Sequence, residues 1–393
     1  MKKIAIIALS VLLAWAVSAP EAAAGVKRIS SDRTVEKEFD AKKGGKVDLD
    51  IDVGGDIYVT AWDKDKVGVE VLIGGRDYEN VEVDMDETGR GLKIDVYFDR
   101  KMRRNKVDTQ IFLKVPKEFD VHFSTMGGDV EIEGVEGEFT GKTMGGDMQF
   151  AGLSGVLEVT TMGGDIKVSD SELDGKVKTF GGDVTISDVE GDLKGSTMGG
   201  DVTYDGVKKG SKKSRRDRHY KSDDDGEEVS ISTLGGDLNL DYEGKDVKAR
   251  TFGGDIDVAR AKKVNVRTMG GDIEVQEAPE GAEVHTMGGD ITIDKAGRFV
   301  KAKTMGGDIE IREIDGKVKA TTMGGDVVVK MVGDDGDREV ELSSMGGDIE
   351  LYVPGDLSME FDIEISYTKK HEGKCRIISD FPIDVRETDE WKT

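Results

Sequence analysis

The chain has 393 residues and a formal net charge of −25, and 35% of its residues are charged. This acidic balance excludes most nucleic-acid-binding surfaces, which need Lys and Arg along the phosphates. A content of 6% aromatic residues, with 53 glycines, excludes a thick globular core, and the single Cys375 excludes an internal disulfide.

Residues 1–24 are predicted to be a signal peptide of the Sec type. Lys2 and Lys3 precede an apolar run from Ile4 to Val17, and three alanines at 22–24 supply a small-residue cleavage site. No cysteine follows the run, so no lipid anchor is expected, and no later stretch is long and apolar enough to span a membrane. We therefore expect an exported protein in the periplasm, at the cell surface or secreted.

Residues 25–123 alternate apolar and polar side chains, which is the pattern of β-strands, without a fixed repeat. A short motif, Gly54-Gly55-Asp56, lies between the first two predicted strands. We interpret this region as an N-terminal β cap. Its predicted strands are residues 47–53, 57–61, 67–73, 81–83, 92–98, 110–115 and 121–123.

Residues 124–350 repeat one motif twelve times: Thr or Ser, a large apolar residue, then Gly-Gly-Asp. Most copies are 18 residues apart, and apolar residues alternate both after the Asp and before the Thr. A fixed short period with two strands per repeat predicts an all-β fold, a single-chain parallel β-solenoid (β-helix) with 18-residue turns and β-rich end caps. The copies begin at Thr125, Thr143, Thr161, Thr179, Thr197, Thr233, Thr251, Thr268, Thr286, Thr304, Thr322 and Ser344.

The longer steps indicate loop insertions between the two strands of a turn and not at the Gly-Gly-Asp corner. The largest, at residues 207–228, has a basic run at 208–218 and an acidic run at 223–228. It is either a solvated loop whose two halves pair, or a basic clip for anionic lipid, lipopolysaccharide or an acidic partner. Residues 351–393 are interpreted as a C-terminal β cap with strands at 359–367 and 374–378.

Several segments together resemble the bacterial β-strand-repeat proteins known as putative adhesins, a domain of otherwise unknown function. They are residues 44–50, 55–59, 61–63 and 115–117, followed by the first Thr-containing Gly-Asp turn. The resemblance implies an exported or envelope-facing parallel β-solenoid without an established active site. This chain departs from the family by placing Met, Phe or Leu where Ser, Gly or Asn is commoner. Such proteins often continue beyond the equivalent of 380–382.

Stacking of the turns predicts a column of aspartates, one per turn. Its carboxylates either bond backbone amides around the tight Gly-Gly turn, which is the leading interpretation, or share calcium, or face a cationic partner. We assign no metal site and expect no cofactor other than this calcium; its candidate ligands are Asp129, Asp147, Asp165, Asp183, Asp201, Asp237, Asp255, Asp272, Asp290, Asp308, Asp326 and Asp348.

The large apolar residue of the motif forms a second column. Strict alternation would point it outward, as an exposed stripe suited to a partner or to self-association. We favour a bend that folds it over the core, because exposed methionines are liable to oxidation. The preceding Thr is expected to face inward and to bond a neighbour or the backbone.

Enzymatic constellations are not found in the sequence: His122, His219, His285 and His371 are scattered, and Cys375 has no neighbouring base. We therefore expect a non-enzymatic exported structural or surface protein, adhesin-like, that contacts an envelope or surface partner, protein or polysaccharide. The alternatives are a calcium-binding scaffold built on the aspartates and, less favoured, a carbohydrate-active β-helix enzyme.

Overall fold

The computed structural model describes residues 26–99, 106–208, 228–333, 338–357, 360–366 and 374–382. Apart from a 3₁₀ turn at Tyr78–Asn80, the regular structure of these residues is entirely β. The chain divides into two compact units, Met1–Val353 and Pro354–Thr393. The predicted signal peptide and most of the predicted insertion, residues 209–227, lie outside the described residues.

Eight strands cover the N-terminal region, and seven of them match the predicted strands with small differences at their ends. The first strand was not predicted, because its polar sequence RTVEKEFD carries few apolar side chains. The strands are β1 (Arg33–Asp40), β2 (Gly45–Ile51), β3 (Asp56–Trp62), β4 (Lys66–Gly74), β5 (Val81–Thr88), β6 (Gly91–Phe98), β7 (Asp108–Pro116) and β8 (Phe119–Thr125).

Twenty further strands follow in the repeat region. They are β9 (Val130–Glu133), β10 (Glu136–Thr143), β11 (Met148–Ala151), β12 (Ser154–Thr161), β13 (Ile166–Lys178), β14 (Val184–Glu190), β15 (Leu193–Ser196), β16 (Val202–Lys208), β17 (Glu228–Ser232), β18 (Leu238–Glu243), β19 (Asp246–Arg250), β20 (Ile256–Arg260), β21 (Lys263–Arg267), β22 (Ile273–Ala278), β23 (Ala282–His285), β24 (Ile291–Lys303), β25 (Ile309–Thr321), β26 (Val327–Met331), β27 (Val340–Ser343) and β28 (Ile349–Tyr352).

Each 18-residue turn, called a rung below, pairs in parallel with the next rung. The segments that follow an Asp form one sheet, as in β9–β11–β13, and the segments that precede a Thr form a second sheet, as in β8–β10–β12. The long strands β13, β24 and β25 run through both sheets. The predicted parallel β-solenoid is therefore confirmed.

The core is a thin column of small and medium apolar side chains, because the rung alternates inward and outward positions. Within β25, for example, Ile309, Ile311, Ile314, Val318 and Ala320 are buried while the residues between them are mostly exposed. Each inward residue stacks on its equivalent one rung away, so identical residues recur in register along the column.

The N-terminal strands extend both sheets before the first rung. Strand β3 pairs in parallel with β9, and β2 pairs in parallel with β8. The outermost strands β1, β4 and β5 pair antiparallel with their neighbours. A change from parallel to antiparallel pairing ends the solenoid with strands that no longer continue its repeat.

The C-terminal end differs from the prediction. The last rung, β27 and β28, is poorly covered: Ile349 is 45% exposed, whereas its equivalent Ile309 is fully buried. No strand is formed by the described residues of the second unit, so the predicted β cap is wrong for residues 360–366 and 374–378. Alternating apolar residues such as Phe361, Ile363 and Ile365 mimic a strand, yet here they remain exposed.

Candidate functional site

The Gly-Gly-Asp corner is the one feature that every rung of the solenoid repeats, and stacking makes it a set of parallel columns. The second glycine of each motif is required by this stacking. A Cβ on Gly254 would lie 2.1 Å from the carbonyl oxygen of Gly236 one rung earlier, whereas a Cβ on Gly253 would find nothing closer than 3.7 Å. Any side chain at the second glycine would therefore collide with the neighbouring backbone.

The threonine of the motif is buried, as predicted, and bonds the backbone in two directions. The Thr304 hydroxyl donates to the carbonyl oxygen of Gly289 in the preceding rung at 2.9 Å, and it accepts the N–H of Gly307 in its own rung at 3.3 Å. Ser344 repeats the first bond at 2.8 Å to Gly325. This column ties each corner to the corner before it.

The aspartate column is a continuous hydrogen-bonded ladder. Each backbone N–H of a motif Asp donates to Oδ1 of the Asp one rung earlier, at 2.8 Å for Asp308 to Asp290. The ladder begins at Asp56, which accepts the N–H of Asp129 at 3.1 Å, so the isolated N-terminal copy of the motif is its first member. The amide partners thus come from the next rung and not from the same turn.

The ladder aspartates remain exposed, except Asp56 and Asp201, which are half-buried. In every ladder carboxylate from Asp56 to Asp326, one oxygen accepts a backbone N–H, and this bond offsets part of the repulsion between carboxylates that sit about 4.8 Å apart. Within the described residues, no three His, Cys, Asp or Glu side chains cluster closely enough to hold a metal ion. Calcium at the ladder stays an untested alternative to the structural role of the aspartates.

The large apolar residues of the motif form an exposed stripe along the corner, called the apolar stripe below. The expectation that a bend would bury them was wrong, because the alternation from the buried Thr continues unbroken and the next residue points outward. Their exposed fractions run from 37% at Phe180 to 77% at Met345. The stripe consists of Met126, Met144, Met162, Phe180, Met198, Leu234, Phe252, Met269, Met287, Met305, Met323 and Met345.

Opposite charges flank the apolar stripe on its two sides. The residue before each Thr lies on the second sheet, and none of these twelve residues is acidic. Five of them form what we call the basic row: Lys142, Lys178, Arg250, Arg267 and Lys303. The acidic side consists of the Asp ladder and the acidic residues two positions after it on the first sheet, where Lys167 is the one basic residue; these acidic residues are Glu131, Asp257, Glu274, Glu310 and Glu350.

Local electrostatics agree with this division. On the acidic side, partial burial and then the neighbouring Glu274 and ladder carboxylates raise the pKa of Asp257. On the basic side, partial burial and then Lys303 and Arg267 lower the pKa of His285. The Lys178 ammonium lies 4.4 Å from the ring centre of Phe180, so this member of the basic row packs against the apolar stripe.

The scattered histidines and the cysteine do not form a shared site in the described part of the chain. His122 Nδ1 lies 3.2 Å from Asp48 Oδ1 on neighbouring strands, His285 stands on the basic side of the corner, and Cys375 is exposed in the second unit. His219, His371 and the basic run at 208–218 lie outside the described residues, except Lys208 at the end of β16.

A buried polar cluster near the insertion was missed from the sequence. The Tyr204 hydroxyl accepts the N–H of Gly195 and donates to the backbone carbonyl of Leu193, and the Tyr242 ring lies beside it at a tilt of 47°. Lys245, 4% exposed, lies 3.5 Å from an Asp192 carboxylate oxygen. Burial raises the pKa of both tyrosines above the usual value. Their only sequence signal is Tyr at inward positions where Ile or Val recurs.

A search of the described residues for membrane-spanning helices found none of sufficient length and apolarity.

A family model described as Toastrack DUF4097 matches the chain twice, over residues 117–241 and 240–374. Together the two matches extend over more than half of the chain. Among curated proteins, none matches the sequence.

The chain is also similar to solved structures at low identity. A putative adhesin from Bacteroides fragilis is 15% identical, with 82% of this chain and 98% of that chain covered and a TM-score of 0.27. A putative cell adhesion protein from Clostridium sporogenes is 10% identical, with 56% and 100% covered and a TM-score of 0.25. A putative lipid binding protein from Parabacteroides distasonis is 13% identical, with 82% and 99% covered and a TM-score of 0.23.

Proposed function

The chain belongs to the Toastrack DUF4097 family, and from that premise we propose that it is an exported, non-enzymatic structural protein that makes contacts at the cell envelope or surface. Its predicted signal peptide supports export. The partner is an envelope or surface protein or polysaccharide with an extended contact surface.

The observation that carries this proposal is the repetition of one surface on every rung. Each rung presents the same order of a basic or uncharged residue, a large apolar residue and Asp at the corner, at a spacing of about 4.8 Å. A catalytic cleft needs a few unlike groups that converge on one substrate, whereas a repeated surface offers many equal contacts along a partner. The polar groups of the corner are also bonded to one another, as in the bond from Thr304 to Gly289.

Because the proposed contact surface is repeated on every rung, the proposal is tested by changing the number of rungs. Deleting residues 269–304 removes two 18-residue rungs and joins Thr268 to Met305, so the motif and its register are kept. Duplicating the same segment adds two rungs. Binding through many equal contacts should weaken in the shorter protein and strengthen in the longer one, since linked contacts add in free energy.

The experiment measures binding of the three purified proteins to whole cells, to isolated envelope polysaccharide and to envelope protein. Circular dichroism and thermal melts check that all three fold. We expect saturable binding to one fraction, with affinity that increases from the short to the long protein. Absence of saturable binding, or equal affinity for all three lengths, would contradict the proposal.

A further inference from the structure

We propose that the apolar stripe is a self-association surface, through which two copies of this chain pack side by side and parallel. This inference does not rest on the proposed function, since it concerns the purified protein alone. It starts from the size of the stripe. Twelve large side chains, each exposing on the order of 100 Å², give about 1,000 Å² of nearly continuous apolar surface, more than soluble monomers usually expose.

That area matches what a specific interface requires. Stable protein interfaces bury about 800 Å² on each partner, with an apolar centre and a charged rim. The stripe supplies the apolar centre, and the basic row and the acidic side supply the rim. Methionine suits such a surface because its unbranched side chain adapts to the shape of its partner.

The charges beside the apolar stripe favour a second copy of the chain, and not a lipid bilayer, as the partner of the stripe. A ladder Asp lies three residues after each member of the stripe. If the stripe inserted into a bilayer, the whole column of carboxylates would therefore lie against the lipid headgroups. A second copy instead offers both signs of charge. Its own basic row can face the acidic side of the first copy.

The same charges also fix the orientation of the second copy. A two-fold axis parallel to the stack places the basic row of each copy over the acidic side of the other, because the rotation exchanges left and right across the stripe. A two-fold axis perpendicular to the stack would make the copies antiparallel and set basic row on basic row. Complementary charge therefore favours the parallel pair.

The parallel pair is also closed. Each copy has one stripe, and a two-fold interface uses the same surface on both copies, so that no stripe is left for a third copy. Rung meets rung in this arrangement, so that Met162 faces the partner's Met162 and Met305 faces the partner's Met305.

The first test is the oligomeric state, measured by sedimentation velocity over a range of concentrations. The variant M269Q/M287Q/M305Q makes three neighbouring stripe positions polar, and the control E277Q/K295Q/E313Q changes three exposed residues at the opposite corner of the same rungs. Circular dichroism and thermal melts verify folding. We expect a dimer for the natural sequence and the control, and dissociation about tenfold easier or more for the stripe variant.

A second test reads the orientation without weakening the interface. In a C375S background, M162C and M305C are oxidised separately and as a mixture. In a parallel pair, each variant forms disulfide-linked dimers with itself, and the mixture gives no excess of dimers that contain both variants. In an antiparallel pair that aligns the whole stripe, M162C cross-links to M305C in the mixture.

A third test swaps the charges. Variant R250E/R267E/K303E makes both sides of the stripe acidic, and variant D257K/E274K/E310K places Lys on the acidic side. Each alone should dimerise more weakly, and an equal mixture should form the heterodimer. The proposal is overturned if the natural protein is monomeric throughout, if it forms open higher oligomers, if the stripe variant dimerises as well as the control, if cross-linking is antiparallel, or if the mixture forms no heterodimer.

Discussion

The backbone N–H of Asp308 donates a 2.8 Å hydrogen bond to Oδ1 of Asp290, one rung earlier in the solenoid. The same bond recurs from Asp129, bonded to Asp56, to Asp348, bonded to Asp326. Each carboxylate from Asp56 to Asp326 therefore bonds the backbone of the next rung and helps to fix the register in which the rungs stack. The ladder therefore has two opposing effects on stability: the hydrogen bonds between rungs stabilise the stack, and the repulsion between neighbouring carboxylates destabilises it.

Substitutions at Asp290 separate these two terms. Asp290→Ala removes the acceptor of the Asp308 N–H and should lower the free energy of unfolding by about 1 kcal/mol. Asp290→Asn keeps an oxygen acceptor and removes a charge between two carboxylates, so it should match or exceed the natural sequence at low salt, with the gain shrinking at high salt. Urea unfolding at two salt concentrations measures both, with Glu313→Ala at the opposite corner as an exposed control. Equal damage from Asn and Ala would contradict this account.

The two glycines of one corner should differ sharply in tolerance. Gly254→Ala brings a Cβ to 2.1 Å from a backbone carbonyl of the preceding rung and should cost about 3 kcal/mol or more, because two rungs must separate. Gly253→Ala meets no atom within 3.7 Å and should change stability by less than about 1 kcal/mol. Thermal and urea unfolding of the pair provide the comparison. Similar losses at both positions would show that backbone conformation, and not stacking, selects glycine.

Thr304 provides a matching test for the buried hydroxyl column. Thr304→Val keeps the shape but leaves the carbonyl of Gly289 and the N–H of Gly307 without this partner, at a cost of about 1–3 kcal/mol. Thr304→Ser keeps the hydroxyl and should cost less, since Ser344 makes the equivalent bond. Thr292→Val on the outward side of the first sheet is the control. If Val were the milder substitution at 304, the hydroxyl would have no stabilising role.

Much of the fold could be predicted because the same pattern of apolar and polar residues recurs in every rung. Alternation around Ile309 and Val318 indicates two strands per turn, and the 18-residue period indicates their stacking. The role of Gly254 could not be read in the same way. Its constraint comes from a backbone one rung away, which is near in space only after the solenoid forms.

The outward direction of the apolar stripe was predicted wrongly for a physical reason. Liability to oxidation favours burial of the methionines, whereas simple alternation from the buried Thr304 points Met305 outward, and alternation decides the geometry. The C-terminal β cap was predicted wrongly because alternation was trusted there. Phe361, Ile363 and Ile365 alternate as a strand does, yet local alternation without a partner strand is not sufficient to form a sheet.

His285 gives a pH dependence near the physiological range. Partial burial and the neighbouring Lys303 and Arg267 lower its folded-state pKa below the usual 6.5, so that the folded protein takes up its proton less readily than the unfolded chain. The corresponding stability is present above about pH 6.5 and is lost as the pH falls through the lower folded-state value. The natural sequence should therefore lose stability relative to His285→Gln between about pH 8 and about pH 5. Urea unfolding at both pH values measures the difference, and a constant difference would contradict the shift.

Adding calcium tests the alternative in which the Asp ladder is a calcium-binding scaffold. We expect millimolar calcium to leave the Tm unchanged at matched ionic strength, because Oδ1 of every ladder carboxylate before Asp348 already accepts a backbone N–H, as in the bond from Asp308 to Asp290. A ligand at 100 times its Kd would stabilise the folded state by about 2.7 kcal/mol, which a thermal melt detects readily. Magnesium is the control for general charge screening, and D290N/D308N is the control for the ladder. A saturable rise in Tm with calcium alone, smaller in D290N/D308N, would instead identify the ladder as a calcium-binding scaffold.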